Sequence, residues 1–181
     1  MVKKKTADFN SFVCFDFETT GLSADSKVIE IGAVKVKDGY MVSRYSSLVD
    51  PGVVIDPMIT TITGITNEMV EGKPTIEQLI PSFYEYTEGL TLVAHNAPFD
   101  CRFLERDSRA MGYCFDHDVF DTLSYARKVL PKLPSYKLTV LTELFGIPQN
   151  EAHRAWCDAE ATARLYMHLK AKEKKENDDG V

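Results

Sequence analysis

The sequence predicts an α/β domain built on a five-stranded mixed sheet flanked by helices. Three observations predict it. A β-rich run at residues 12–17 is followed by two more extended segments joined by a tight turn. Helical and extended patterns then alternate to the end of the chain, which places helices on the faces of a sheet. The length is 181 residues, 44% of them hydrophobic and 27% charged, which suits one domain with a substantial core.

Each element has its own local reason. Residues 12–17, FVCFDF, are apolar and aromatic, and Thr20-Gly21 breaks the run. Residues 28–36, VIEIGAVKV, set Ile29, Ile31 and Ala33 against Glu30, Gly32 and Val34, a period near 2. Asp38-Gly39 supplies a hairpin turn, and residues 41–49 return as a third strand. Residues 75–88 repeat apolar side chains at Ile76, Leu79, Ile80 and Phe83, the spacing of a helix face. Residues 91–94 form a short buried strand after Gly89. Residues 98–111 are helical, with Phe99, Phe103 and Leu104 on a stripe and Gly112 as the stop. A strand near 119–120 precedes helices at about 122–129 and 138–145, and residues 155–169 carry Ala155, Ala159, Thr162, Ala163 and Tyr166 on a last stripe. An antiparallel meander followed by αβαβα resembles a ribonuclease H-like sheet, strand order 3-2-1-4-5, with the first strand in the middle.

Composition closes off several classes. Lys and Arg number 21 against 27 Asp and Glu, a formal net charge of −6. The balance argues against a protein that coats nucleic acid through a broad basic surface. No stretch approaches 18 apolar residues, so no membrane partner is expected. Lys3-Lys4-Lys5 is followed by polar Thr6, Asp8, Asn10 and Ser11, where a signal peptide needs an apolar core. Cys14, Cys101, Cys114 and Cys157 lie far apart without a Cys-x-x-Cys pair. They read as free buried thiols in a reducing cytoplasm, with a zinc site as the sharper alternative. The ends differ from the middle: residues 1–8 form a basic tail and residues 170–181 a charged one, read as a fraying helix end too polar to pack. Together the tails carry seven Lys and five acids, which leaves a net charge of −8 for a domain spanning 9–169.

Three local patterns carry chemistry. Asp16-x-Glu18 ends the first strand, where residues i and i+2 share a face and hold two carboxylates side by side. With 14 Asp and 13 Glu, chance supplies about one such pair, and Asp158-Ala-Glu160 is a second, so position matters more than pattern. The C-terminal end of a central strand is where α/β sheets place ligands. Asn96-x-x-Phe99-Asp100 follows the fourth strand. Asp100 is there either a neighbour of Asp16 or an acid favoured by the helix N-terminus. In His153-x-Ala155-x-x-Asp158, a five-residue offset turns about 140° on a helix, so one helix cannot aim both inward. His153 then belongs to the loop ahead of the helix, as a general base near neutrality or as a surface residue beside Arg154.

Taken in order, these patterns resemble the three motifs of the DnaQ-like 3′–5′ exonucleases, the DEDD superfamily in its histidine-bearing branch. The resemblance covers nearly all of 9–169, and FDFETTGL around Asp16 looks like the proofreading members. Residue by residue it implies four metal-binding acids, Asp16, Glu18, Asp100 and Asp158, with His153 taking the proton from an attacking water. It implies two Mg²⁺ or Mn²⁺ ions, since the hard oxygen donors suit these ions and no Cys/His cluster suits zinc. Substrate contacts are expected from the backbone N–H groups of Thr19 and Thr20. Leu22 and Phe103 are expected to wedge or stack against terminal bases, Phe103 having core packing as its alternative. His95 and Asn96 are expected to support the loop. Ile62–Thr66 corresponds to a stretch that contacts the terminal nucleotide. Many relatives, including the epsilon subunit of DNA polymerase III, carry His in place of Thr63, and the Thr form looks more like the exonuclease region of the large Gram-positive-type replicative polymerase.

The implied activity is removal of nucleoside 5′-monophosphates from a single-stranded or frayed DNA 3′ end, in proofreading or repair, with a DNA polymerase as the implied partner. RNA ends and a non-catalytic binding module are the alternatives; loss of an acid or the histidine would favour the module, and none is lost. Two bound divalent ions would bring the formal charge from −6 to −2, and only the scissile end needs gripping. Acidity then predicts weak, metal-dependent DNA affinity rather than none.

Overall fold

The computed structural model describes residues 10–149 and 153–179; the basic run within 1–8 lies outside the described residues. The strands are β1 (Phe12–Thr19), β2 (Val28–Lys37), β3 (Tyr40–Leu48), β4 (Thr91–Ala94) and β5 (Val119–Asp121). They form one sheet in the order β3-β2-β1-β4-β5, antiparallel across β1–β2 and β2–β3 and parallel across β1–β4 and β4–β5. That is the order expected from the sequence. The hairpin between β2 and β3 turns on Asp38 and Gly39, both at positive φ, the conformation an Asp-Gly pair adopts at low cost.

The helices are α1 (Pro57–Thr63), α2 (Asn67–Val70), α3 (Ile76–Thr87), α4 (Ala97–Ala110), α5 (Thr122–Val129), α6 (Leu138–Phe145) and α7 (Ala155–Asp179). Helices α1 and α2 add to the expected elements, because seven and four residues are too few to display a period. Their caps carry the signal instead. Asp56 accepts the Met58 N–H, Pro57 opens α1 and Gly64 closes it in the left-handed region. Their purpose is burial, since Ile55, Ile65 and Val70 close over Ile29 of β2.

Alternation along β1 divides the core. Val13, Phe15 and Phe17 pack with Ile80, Phe83, Phe103 and Leu104 of α3 and α4 on one face. Phe12 and Cys14 pack with Leu141, Leu165 and Tyr166 of α6 and α7 on the other. Both faces are covered, so β2 is buried from Val28 to Val34, and the polar half of its alternation does not face water. Asp16 and Glu18 continue the Phe12–Cys14 side of β1 and point toward α7.

Helix α7 lies against β1 and β2, and Gly32 makes this possible. A Cβ there would stand 2.0 Å from the Trp156 nitrogen and 2.1 Å from the Ala155 carbonyl carbon. Gly32 is paired with Asp16, so the first turn of α7 sits on the strand residue next to that acid. At its other end α7 runs on as helix to Asp179, past the boundary at 169 expected from polarity. Glu173 holds it there, accepting from the Tyr125 hydroxyl and, at 3.0 Å, from Lys128 Nζ of α5. The cysteines also depart from expectation: Cys14 and Cys157 are buried, but Cys101 is half-buried and Cys114 exposed.

Gly32→Ala tests the close approach. The added methyl meets backbone, which cannot swing aside, so we expect a loss of ~3 kcal/mol or more in stability, measured by urea unfolding.

Candidate active site

The end of β1 outruns its parallel neighbour. Pairing with β4 stops at Cys14↔Val93, so β1 beyond that point lacks a strand on that side. Asp100, in the first turn of α4, fills the gap and accepts the Phe17 N–H at 3.0 Å. Asp100 is buried at 3% exposure, and its bond to Phe17 falls between the positions of Asp16 and Glu18 along the chain. The expected neighbourhood of Asp100 and Asp16 is therefore present.

The turn that starts α4 is set by Asn96, in the left-handed region at φ 68°. Asp121, at the end of β5, accepts the N–H groups of Asn96 and Ala97 at 2.9 and 3.2 Å while capping α5. His95 is fixed by Thr122 Oγ1 and the Tyr136 carbonyl, each at 2.9 Å, and burial holds its pKa below the ordinary imidazole value. Asn96 and His95 thus support the loop, as expected.

His153 lies outside the helix, in a turn with φ 63°, and Asp158 lies inside α7. The His153 N–H donates to Asp158 Oδ2 at 3.1 Å, and Gln149 Nε2 donates to the other oxygen at 2.6 Å. His153 is exposed and Asp158 buried at 8% exposure. Glu18, His153 and Asp158 bring one ligating atom each to within 4.8 Å of one another. This trio differs from the expected ligand set in including the histidine, while Asp16 and Asp100 interact by charge with Glu18.

Two further residues complete the surroundings, and the sequence reading passed over both. Glu30 is fully buried on β2, directly opposite Glu18. It accepts from Arg154 NH2 at 2.8 Å, from Arg154 Nε at 3.1 and 3.2 Å, and from the Ala155 N–H at 3.0 Å. A carboxylate inside the apolar run IEIGAV was the available signal, since a buried acid requires a partner.

Carboxylates so gathered resist ionisation together. Burial, then Asp100, Glu18, Asp158 and Glu30, push Asp16 well above the ordinary carboxylate range. Burial, Asp158 and Glu30 raise Glu18 to about 8, against a smaller opposing effect of Arg154. Burial raises Asp100 to about 7 despite the Phe17 N–H, and it raises Asp158 despite Gln149 and His153. All are hard oxygen donors that protons or a divalent cation would equally relieve, and this donor set fits Mg²⁺ or Mn²⁺.

The expected substrate contacts fare unevenly. Leu22 is 80% exposed on the loop after β1, whose carbonyls are tied to Arg102 and Arg106 of α4. Phe103 is a correction: at 0% exposure it is core, edge-on to Phe99, and no base can reach its ring without unpacking α4. Thr63 lies at the C-terminal end of α1. It is buried, donates to the Ile59 carbonyl and accepts the Ile65 N–H, so its hydroxyl proton serves its own turn. The Thr20 N–H is likewise committed, to the Lys27 carbonyl at 2.8 Å. Thr19 is buried, with its hydroxyl on the Gly21 carbonyl.

A mixed 3-2-1-4-5 sheet with carboxylates at the C-terminal ends of its central strands has known counterparts. The model of the Exonuclease family, RNase_T, matches residues 13–166. The chain is 44% identical over 170 residues to a DNA polymerase III PolC-type of Clostridium perfringens, covering 93% of this chain and 12% of that protein. It is 38% identical over 161 residues to the DNA polymerase III subunit epsilon of Aquifex aeolicus, covering 88% of this chain and 80% of that one. Exonuclease X in complex with 5′ overhanging duplex DNA matches with a TM-score of 0.74 and 31% identity, over 94% of this chain and 93% of that one. The chain belongs to the exonuclease family. It spans about an eighth of the length of the PolC-type relatives it matches. Among the described residues no helix is long and apolar enough to cross a membrane.

The raised carboxyls set a pH dependence. Between the ordinary carboxylate range and about pH 8 the folded chain holds more protons than the unfolded chain, so without metal its stability falls as pH rises. In chelator we expect the unfolding midpoint to drop from pH 5 to pH 8. Glu18→Gln should flatten that slope and gain ~2 kcal/mol at pH 8, read by thermal unfolding at several pH values.

Proposed function

We propose that the chain removes nucleoside 5′-monophosphates from the 3′ end of single-stranded or frayed DNA, in proofreading or repair. The observation that carries this reading is the convergence of Asp16, Glu18, Asp100 and Asp158, with exposed His153 at their edge, at one end of the sheet. Asp16, Glu18, Asp100 and Asp158 would hold two Mg²⁺ or Mn²⁺ ions, which when bound acidify the attacking water and relieve charge on the leaving 3′ oxygen.

The chain's own residues do the rest. A ring nitrogen of His153 takes the proton of the water that attacks phosphorus, and exposure lets the ring pass it to solvent. As the new P–O bond forms, the bond to the 3′ oxygen of the penultimate nucleotide breaks and the terminal 5′-monophosphate leaves. Leu22, projecting from a loop braced by Arg102 and Arg106, wedges against the terminal base. DNA is favoured by the relatives, which are named as DNA polymerase III components, and by the DNA complex of Exonuclease X. A replicative polymerase is the partner those relatives suggest, and the cytoplasm the compartment.

Asp16→Ala should lower the trimming of 3′-labelled single-stranded DNA by about 10³-fold or more with the fold retained; unchanged trimming would end the reading. His153→Ala should lower kcat by about 10²-fold with the Mn²⁺ titration little changed. Lost Mn²⁺ affinity in that variant would make His153 a ligand, as its place in the trio permits. Matched DNA and RNA oligomers decide the sugar, and faster trimming of RNA would overturn the DNA assignment.

A further inference from the structure

We propose that Glu30, acting through Arg154, is a positioning residue that sets the place of the His153 ring; the proposal rests on the exonuclease reading above. Among the described residues the hydrogen bonds of Glu30 run to Arg154 and Ala155, while its charge is also felt directly by Glu18; the positioning effect is the part that passes through His153. It is wholly buried on β2, and its carboxylate receives hydrogen bonds from Arg154 Nε and NH2 and from the Ala155 N–H. These are the two residues that directly follow His153. The carboxylate therefore grips the chain at the joint between the histidine turn and α7.

His153 and Asp158 depend on this joint to different degrees. Asp158 is inside a long helix, its N–H is bonded to the Arg154 carbonyl, and Gln149 holds its side chain independently. His153 is exposed, sits at φ 63° where a non-glycine residue is strained, and has its N–H on Asp158. Its ring is consequently placed by where Arg154 begins. A buried carboxylate with three Arg154 contacts of 2.8–3.2 Å on one side and the floor of β2 on the other fixes that start. A small displacement there moves a general base relative to its water, and shifts of about 1 Å are enough to cost about 10²-fold in rate.

A residue that only stabilises the fold and a residue that acts through His153 differ in a double-mutant cycle. Wild type, Glu30→Gln, His153→Ala and the double variant are compared in single-turnover trimming of 3′-labelled single-stranded DNA with Mn²⁺, below the unfolding temperature of each. Trp156, the single tryptophan and the second residue of α7, reports the joint by its fluorescence. Glu30→Gln is expected to lower kcat about 10–100-fold with KM changed less than about 3-fold and Trp156 emission shifted, and to cost less than about 3-fold when His153 is already Ala. The same loss in both backgrounds would overturn the proposal, as would a Glu30→Gln enzyme with wild-type kcat. If Glu30→Gln does not fold, Arg154→Lys, which keeps the charge but not the fork, enters the same cycle, and the same two results would overturn the proposal. An inactive wild-type chain would instead overturn the exonuclease reading, so the two failures are distinguishable.

Discussion

The site depends on one close approach, the N-terminus of α7 lying directly on β2. Gly32 leaves room for the Ala155–Trp156 backbone, and Glu30, two residues earlier on the same strand, draws in Arg154 and the Ala155 N–H. Because Gly32 is paired with Asp16 and Glu30 with Glu18, the docking point of the helix and the two strand carboxylates are in register. Asp158 and His153 reach the β1 acids because α7 starts there. A side chain at Gly32 would lift that end of the helix off the sheet and separate the halves of the cluster.

That arrangement gathers like charges, which a folded chain ordinarily avoids. Burial raises Asp16, Glu18, Asp100 and Asp158, repulsion from the other acids adds to it for Asp16 and Glu18, and Arg154 offsets part of this for Glu18. Neutral hydrogen bonds hold the acids in place against their repulsion: the Phe17 N–H for Asp100, and Gln149 and the His153 N–H for Asp158. The geometry is thus built by the surrounding core and loops, and a bound cation would complete its charge balance without having to assemble it. A net acidic domain is consistent with the proposed nucleic-acid chemistry on these terms, because the gathered acids would act on a scissile end and would not form a broad binding surface.

Much of this was legible in the sequence, for reasons that differ by element. The strands and the helices at residues 76–87, 97–110, 122–129 and 138–145 followed from apolar period and turn chemistry, since each buries a face long enough to show a pattern. The gathering of the four acids and His153 at one end of the sheet was legible because they sit in an ordered set of motifs on those elements. Helices α1 and α2 were not, because caps alone mark them. Phe103, expected to stack on a base, lies in the core, and the Thr63 hydroxyl and the Thr20 N–H are bonded within the chain. An aromatic on a helix stripe and a hydroxyl in a turn look the same in sequence whether they face a ligand or the interior.

The sequence by itself determined the order of elements, the sheet's pleat and therefore which β1 residues share the α7 side, because alternation is a local property of a strand. It also determined that His153 and Asp158 could not both be aimed inward from one helix, because 100° per residue is a local property too. Only the tertiary structure decided what depends on contacts across long chain separations. Glu30, which alternates with apolar neighbours like a surface acid, is fully buried and meets a partly exposed Arg154 some 124 residues away. Gly32, which reads as a gap in a strand, is the seat of a helix. Which carboxylate meets an arginine and which stands among other carboxylates is decided by packing, because burial removes the water that would otherwise have made the two alike.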